Sequence, residues 1–418
     1  MPNPGQTTVS ARFSALTRNI SDAGERVRIE VGNVAGMDGL RGVAVAAVVL
    51  FHWLVLREGK HADALIDAIK ASPILEFVVR SGYLGVDLFF LITGFLLVLP
   101  WLKHAQEGRS APSAREFYRR RVLRIVPAYY VQLVFLFLVA LPLVQGFGYW
   151  RRDLFVLAGN LVAHLGFLHY LTPLTSASLN LNGALWTLTL EAQYYLVLPL
   201  LAPLFVRRPW TTAGAMMAVA LLWHERTAHG MQALVDAYVW LGRMWSLTEA
   251  SGRHFLMTQF PGYLAHFAAG LLAGRAWLLL RDRPHTLPRT LVSSVALVAA
   301  PVALGAVLID GSRAWGQFTW LLTPLLIGLA VWAAISRRLG WATGALDFAP
   351  LAFLGRISYS LYLYHMPVLI LFNLMLPDAP PLFAFPLYLA AVLPLAWASW
   401  RFVETPFMNL RKGAPRHA

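Results

Sequence analysis

The chain contains no cysteine among its 418 residues, which excludes disulfides, thiolate nucleophiles and cysteine-ligated metals together. Charged residues are scarce at 13%, about half the share usual in soluble domains. No H-E-x-x-H, Walker or G-x-S-x-G pattern occurs, so metallopeptidase, ATPase and hydrolase readings gain no support and no metal site is expected. Internal repeats and low-complexity runs are missing as well. The N-terminal stretch holds Arg12, Arg18, Arg26 and Arg28 but no apolar core ahead of Met37, which argues against a cleaved signal peptide.

What the chain does have is apolar length. Hydrophobic residues make up 58% of it, and its mean hydropathy is +0.57. Segments such as GVAVAAVVLFHWLVL and LVSSVALVAAPVALGAVLI are continuously apolar, and about 20 such residues cross roughly 30 Å of hydrocarbon at 1.5 Å per residue. Barrel strands would alternate apolar and polar residues instead. The reading is an all-α polytopic membrane protein, with ten spans expected at 39–57, 82–102, 123–145, 187–206, 210–224, 255–280, 289–309, 318–336, 356–376 and 383–403. The net charge of +14 would suggest nucleic acid in a soluble protein. Here the arginines fall between apolar segments, where the positive-inside rule explains most of them, and no nucleic-acid partner is expected.

An eleventh apolar stretch, 153–170, is shorter. Arginines at 115–124 and at 207–208 both belong inside, and the spans 123–145 and 187–206 already connect them by two crossings. The extra stretch is therefore expected to be re-entrant or to lie on the outer surface. The loop TPLTSASLNLNG after it, with Thr172, Ser176, Ser178, Asn180 and Asn182, is then outside. The same bookkeeping puts both termini in the cytoplasm. The expected organisation is a mobile cytoplasmic tail over 1–35, one membrane domain over 36–408 and a cytoplasmic tail over 409–418, in a multi-pass protein of the cell membrane, with a bacterial cytoplasmic membrane as its setting.

Charged groups inside apolar helices are costly enough to be read as functional. In MDGLRGVAVAAVVLFHW, Arg41 and His52 are eleven residues apart, about three turns, so they share a face with some 16 Å between them along the axis. Arginine suits phosphate or carboxylate recognition, and histidine suits proton transfer near neutral pH. Asp87 in GYLGVDLFFLITGF and Glu191 in LWTLTLEAQYYL are expected at the depth of His52, where either carboxylate would orient the imidazole. The bland alternative for both acids is polar contact between helices. Arg121 and Arg124, spaced i, i+3 in FYRRRVLRIVP, form a cationic pair suited to a phosphate group. In FLGRISYSLYLYHMPV, Arg356 joins that cytoplasmic group and His365 lies deeper. Tyr194 and His365 are the candidate substrate-contacting residues, while Glu404 is read as a structural partner for Arg356 or Arg124.

Taken in order, DGLRG with a histidine eleven residues after its arginine, GVDLFFLITGF, FYRRRVLRIVP, WTLTLEAQYYL, ISYSLYLYHMPV and ETP resemble the acyltransferase-3 family of membrane O-acyltransferases. The motifs run from about residue 36 to 408. The resemblance implies an acyl-CoA donor, acetyl-CoA above all, and a hydroxyl acceptor on a cell-envelope glycan, glycolipid or glycosylated metabolite. It also implies that Arg41 and His52 match the family's first-helix arginine and histidine, and that Arg121 and Arg124 match its paired arginines. Thr187 or Thr189 and Ala192 stand where the family often has a serine and a second acid. Some relatives carry an extracytoplasmic hydrolase-like domain, so a separate extracytoplasmic partner is a further expectation. The competing reading is a proton-coupled transporter or flippase, with His52, Asp87 and Glu191 as a proton relay.

The parity argument makes a direct prediction about sidedness. A cysteine introduced at Ser178 should react with an impermeant thiol reagent added to intact cells, and one at Arg208 should react only after lysis; the reverse pattern overturns the topology.

Overall fold

The computed structural model describes residues 34–146, 148, 154–176, 181–243, 246–281, 283, 286–310, 318–336 and 340–410. Most of the two expected tails, together with Ser178 and Asn180 of the outer loop, lies outside these residues. Among the described residues every regular element is helical. Helix α1 spans Met37–Arg57, short helices α2 (Ala64–Lys70) and α3 (Pro73–Arg80) follow, and α4 covers Leu84–Gln106. Helix α5 (Ala114–Phe135) continues through a π turn at Leu136–Ala140. Next come α6 (Leu154–Leu165), α7 (Trp186–Arg207), α8 (Pro209–His229), α9 (Gln232–Leu241) and α10 (Glu249–Met257). The C-terminal half holds α11 (Phe260–Leu280), α12 (Leu287–Asp310), α13 (Thr319–Ile335), α14 (Gly340–Leu346), α15 (Ala349–Arg356) and α16 (Ser358–Met375). Helix α17 (Ala384–Ser399) passes through a second π turn, Trp400–Glu404, into α18 (Thr405–Leu410).

Seven runs among the described residues are long and apolar enough to cross a membrane, and two bent helix pairs raise the number to nine. Length and composition alone do not confirm the expected ten. The span predicted at 210–224 does form α8, but Thr211, Thr212, His224, Glu225 and Arg226 dilute its apolar run and it falls outside that set. One bent pair is α15 and α16, which meet at 76°. The predicted eleventh stretch contains α6, whose 12 residues reach only about 18 Å, well short of the hydrocarbon thickness.

Without a hydrophobic drive between helices in lipid, close packing has to come from small residues. Helix α1 is held this way on two sides. A Cβ at Gly355 would fall 1.7 Å from the Asp38 carbonyl oxygen, and one at Gly42 would fall 2.2 Å from that of Leu351. On the other side Gly82 lies against Ala47 and Gly85 against Ala44, which makes α1 antiparallel to the start of α4. Helix α16 instead runs parallel to α1, with contacts at His52 to His365 and, further along, at Arg57 to Asn373.

The end of α1 is closed by a fully buried arginine. Arg57 Nε donates to Asp63 at 3.0 Å and Nη1 to Asn373 Oδ1 at 2.6 Å, while its guanidinium lies 4.6 Å from the Trp53 ring centre. Asp63 in turn caps α2 by accepting from the backbone of Leu65 and Ile66. Outside this plug, hydrogen bonds from Lys70 and Arg80 hold the exposed Glu58 carboxyl below the usual carboxylate range.

Replacing Gly355 by valine should force α15 off α1. The expected loss is about 1–3 kcal/mol or more, the range for overpacking a tight contact, read as a lower Tm of the detergent-solubilised protein. An unchanged Tm would mean that the contact is not tight.

Candidate active site

Two histidines face each other between α1 and α16. His52, on α1, points Nδ1 at the Val48 carbonyl oxygen at 2.9 Å. His365, on α16, points Nδ1 at the Tyr362 carbonyl oxygen at 2.7 Å. Carbonyl oxygens only accept, so both neutral rings carry their proton on Nδ1. The His365 Nε2 is left as an acceptor, and it lies 3.3 Å from His52 Nδ1. His52 Nε2 is then a free lone pair with no partner among the described residues, on a side chain that is only partly buried. His365 is wholly buried, with both ring nitrogens engaged. Around the pair, Tyr362 donates to the Ala184 carbonyl at 2.9 Å and accepts from Thr187 at 3.0 Å, and Phe51 stands edge-on to His52.

The structure sets Asp87 and Glu191, the expected carboxylate partners of His52, against other groups. Asp87 follows Gly85 by two residues, about 200° around the helix. The face of Gly85 is the one against α1, so Asp87 points away from it. It meets His266 of α11, with Nε2 3.4 Å from Oδ1. Glu191 accepts from Thr93 at 3.4 Å and from Tyr195 one turn further along α7.

Glu191 belongs instead to an arginine cluster. Arg41 lies within electrostatic range of Arg124, Asp38, Glu404 and Glu191, and Arg121 within range of Tyr195, Arg124 and Glu191. Arg124 Nη1 donates to Glu404 at 3.0 Å and to Met408 Sδ at 2.8 Å, and its guanidinium lies 5.7 Å from the Tyr359 ring centre. Glu404, fully buried, also accepts from Ser360. Arg121 is packed between the rings of Phe117 and Tyr195, each 5.8 Å away, and its Nε is buried with no acceptor. Arg41 makes no hydrogen bond or ion pair to another described residue. Unused guanidinium donors in a desolvated setting are what an anionic ligand requires.

The sequence profile of an acyltransferase domain matches residues 34–401. The chain belongs to the acyltransferase-3 family. It is 24% identical to the peptidoglycan O-acetyltransferase OatA of Listeria monocytogenes, over 91% of this chain and 57% of that protein. It is 23% identical to the protein named "Putative peptidoglycan O-acetyltransferase YrhL" of Bacillus subtilis, over 89% of this chain and 54% of that protein. A similar match, 22% identical over 90% of this chain, is the "Putative O-acetyltransferase SACOL0978" of Staphylococcus aureus. The chain thus spans a little over half the length of these curated relatives. No solved structure matches it.

Within this acyltransferase-3 chain the motifs gather into two places rather than one. Arg41, Arg121, Arg124 and Glu191 share the arginine cluster, and His52 and His365 form the second group. Arg356 stands apart at the α15–α16 bend, 5.9 Å from the Phe353 ring, and the carboxylate of Glu404 is taken by Arg124. Tyr194 is fully buried and stacks on Phe267 at 3.8 Å, with its hydroxyl unpaired. Its neighbour Tyr195 is the one that faces the arginines. Spacing would have found it, since Tyr195 is i+4 from Glu191 and shares its helix face. His266, Tyr359 and the Arg57 plug also escaped the sequence reading, because their partners come from distant segments.

The Arg124–Glu404 pair sets a stability test. Glu404→Ala leaves a largely buried guanidinium uncompensated and should cost about 3–5 kcal/mol. The double variant Arg124→Met/Glu404→Leu should recover much of that loss in a thermal melt. Equal Tm values for Glu404→Ala and the parent would show that the pair carries no stability.

Proposed function

We propose that the protein is a membrane O-acyltransferase that moves an acyl group, acetyl above all, from acyl-CoA to a hydroxyl of a cell-envelope glycan or related glycolipid. The carrying observation is the separation of two differently equipped centres: arginines with unused donors at one level and a histidine with a free ring nitrogen eleven residues further along α1. That separation is about 16 Å along the axis. A pantetheine arm has about 12 bonds between its phosphate ester oxygen and its sulfur, and at roughly 1.2 Å per extended bond it has a comparable reach. Family membership and the names of the Listeria and Bacillus relatives support the glycan acceptor.

In this reading Arg41, Arg121 and Arg124 hold donor phosphates on the cytoplasmic side, and Arg356 is at most peripheral. His52 Nε2 removes the proton from the acceptor hydroxyl as its oxygen attacks the thioester carbonyl. The new C–O bond forms, the C–S bond breaks, and the imidazolium returns its proton to the departing thiolate. His52 Nδ1–H keeps its bond to the Val48 carbonyl through both transfers. Asp87 and its partner His266 lie outside this sequence of events. The chain acts as one membrane domain in a bacterial cytoplasmic membrane, with both termini inside.

Purified protein in liposomes should release free CoA thiol from acetyl-CoA when given a glycan acceptor. His52→Ala should lower kcat by about 10²- to 10⁴-fold, the usual cost of losing a general base, with folding retained. Arg121→Ala and Arg124→Ala should instead raise KM for acetyl-CoA, with lysine restoring part of the loss. Full activity in folded His52→Ala protein would sink the role of His52, and no thioester turnover under any acceptor would sink the reading as a whole.

A further inference from the structure

We propose that His365 is the positioning residue of His52: it accepts the Nδ1 proton of His52 and thereby keeps the Nε2 lone pair aimed at substrate. This rests on the acyl-transfer reading for its consequence, but its geometry stands apart from that reading. His365 is fully buried, so it is closed to direct contact with substrate. Its ring is fixed at Nδ1 by the Tyr362 carbonyl, and its backbone carbonyl accepts from Tyr388 at 3.1 Å. With Nδ1–H committed, Nε2 has only an acceptor role to offer, and the group at 3.3 Å is His52 Nδ1.

A histidine bonded only to the carbonyl one turn behind it, as His52 is to Val48, keeps freedom to rotate and to exchange tautomers. A second acceptor on the same Nδ1–H removes both. In the familiar arrangement a carboxylate fills this place, yet Asp87 and Glu191 are committed to His266 and to Tyr195 and Thr93. A neutral imidazole is the cheaper orienter where no counter-charge is at hand, because it adds no buried charge when His52 is neutral. The spacing of the two rings is held by the parallel pairing of α1 and α16, whose other bridge is Arg57 to Asn373.

The test compares His365→Gln, whose amide oxygen reaches the position of Nε2, with His365→Leu, which has no acceptor. Two readouts are taken on protein shown to be folded by its Tm: acetyl-CoA turnover, and the ¹⁵N spectrum of histidine-labelled protein, with His52→Gln used to assign the His52 signals. The expectation is one protonated Nδ1 and one bare Nε2 at His52 in the parent and in His365→Gln, and a tautomer mixture in His365→Leu. Turnover should fall in kcat by about 10- to 100-fold in His365→Leu, the usual cost of losing an orienting partner, with KM for acetyl-CoA unchanged, and glutamine should restore most of it. An unchanged His52 spectrum in His365→Leu would overturn the proposal even if activity fell. A parent protein with the expected spectrum but no turnover would refute only the acyl-transfer reading.

Discussion

The architecture turns on how closely α1 is gripped. Gly82 and Gly85 bring one neighbour against its backbone, and Gly42 and Gly355 bring another, at separations that leave no room for a single methyl group. Such contacts are stiff, because backbone cannot repack as side chains do. Arg41 and His52 are therefore mounted on a fixed rod, and each reaches a different neighbour set at a set distance from the other. Three polar features of the interior are referenced to that rod: the arginine cluster near its start, the histidine pair further along it, and the Arg57 plug at its end.

The electrostatics of the arginine cluster follow from what the rod collects. Three guanidiniums, Arg41, Arg121 and Arg124, gather with the carboxylates of Glu191 and Glu404. Like charges so close together in a poorly solvated region repel strongly unless counter-charges are built in. Glu404 neutralises Arg124 through a direct bond, while Glu191 spends its hydrogen bonds on Tyr195 and Thr93 and acts on the arginines only across space. The result is asymmetric. Arg124 is tied into the structure, and Arg121 and Arg41 retain unused donors.

Much of this was legible in the sequence. Continuous apolar runs gave the all-helical membrane class, and the intramembrane arginines and histidines marked the interior. Same-face spacing on one helix put Arg41 and His52 in register, and that needed only the 100° step. What could not be read was partnership between helices. Asp87 and Glu191 looked equivalent because hydropathy assigns depth and not direction; the glycine contact that turns Asp87 away from α1 is a property of packing. His365 was visible as a buried histidine, but its pairing depends on α16 running parallel to α1. The span at 210–224 is a separate case: α8 is a helix of sufficient length whose composition is too mixed for the hydropathy criterion, so period and hydropathy gave different answers.

The π turn at Trp400–Glu404 fits one more residue into its turn than a regular helix would, and Glu404 is its last member. Rewinding that turn to regular α geometry with all its residues kept would rotate everything after it by about 100° relative to α17. Glu404 would swing from Arg124 and Ser360, and α18, which supplies Met408 to the same arginine, would follow it. The stretch is thus tuned by its winding rather than by its side chains. A replacement that leaves the wide turn intact leaves the arginine's counter-ion in place, whereas one that tightens the turn without shortening it turns that counter-ion away, so the hydrogen-bond pattern of this segment is under tighter constraint than most of its side chains.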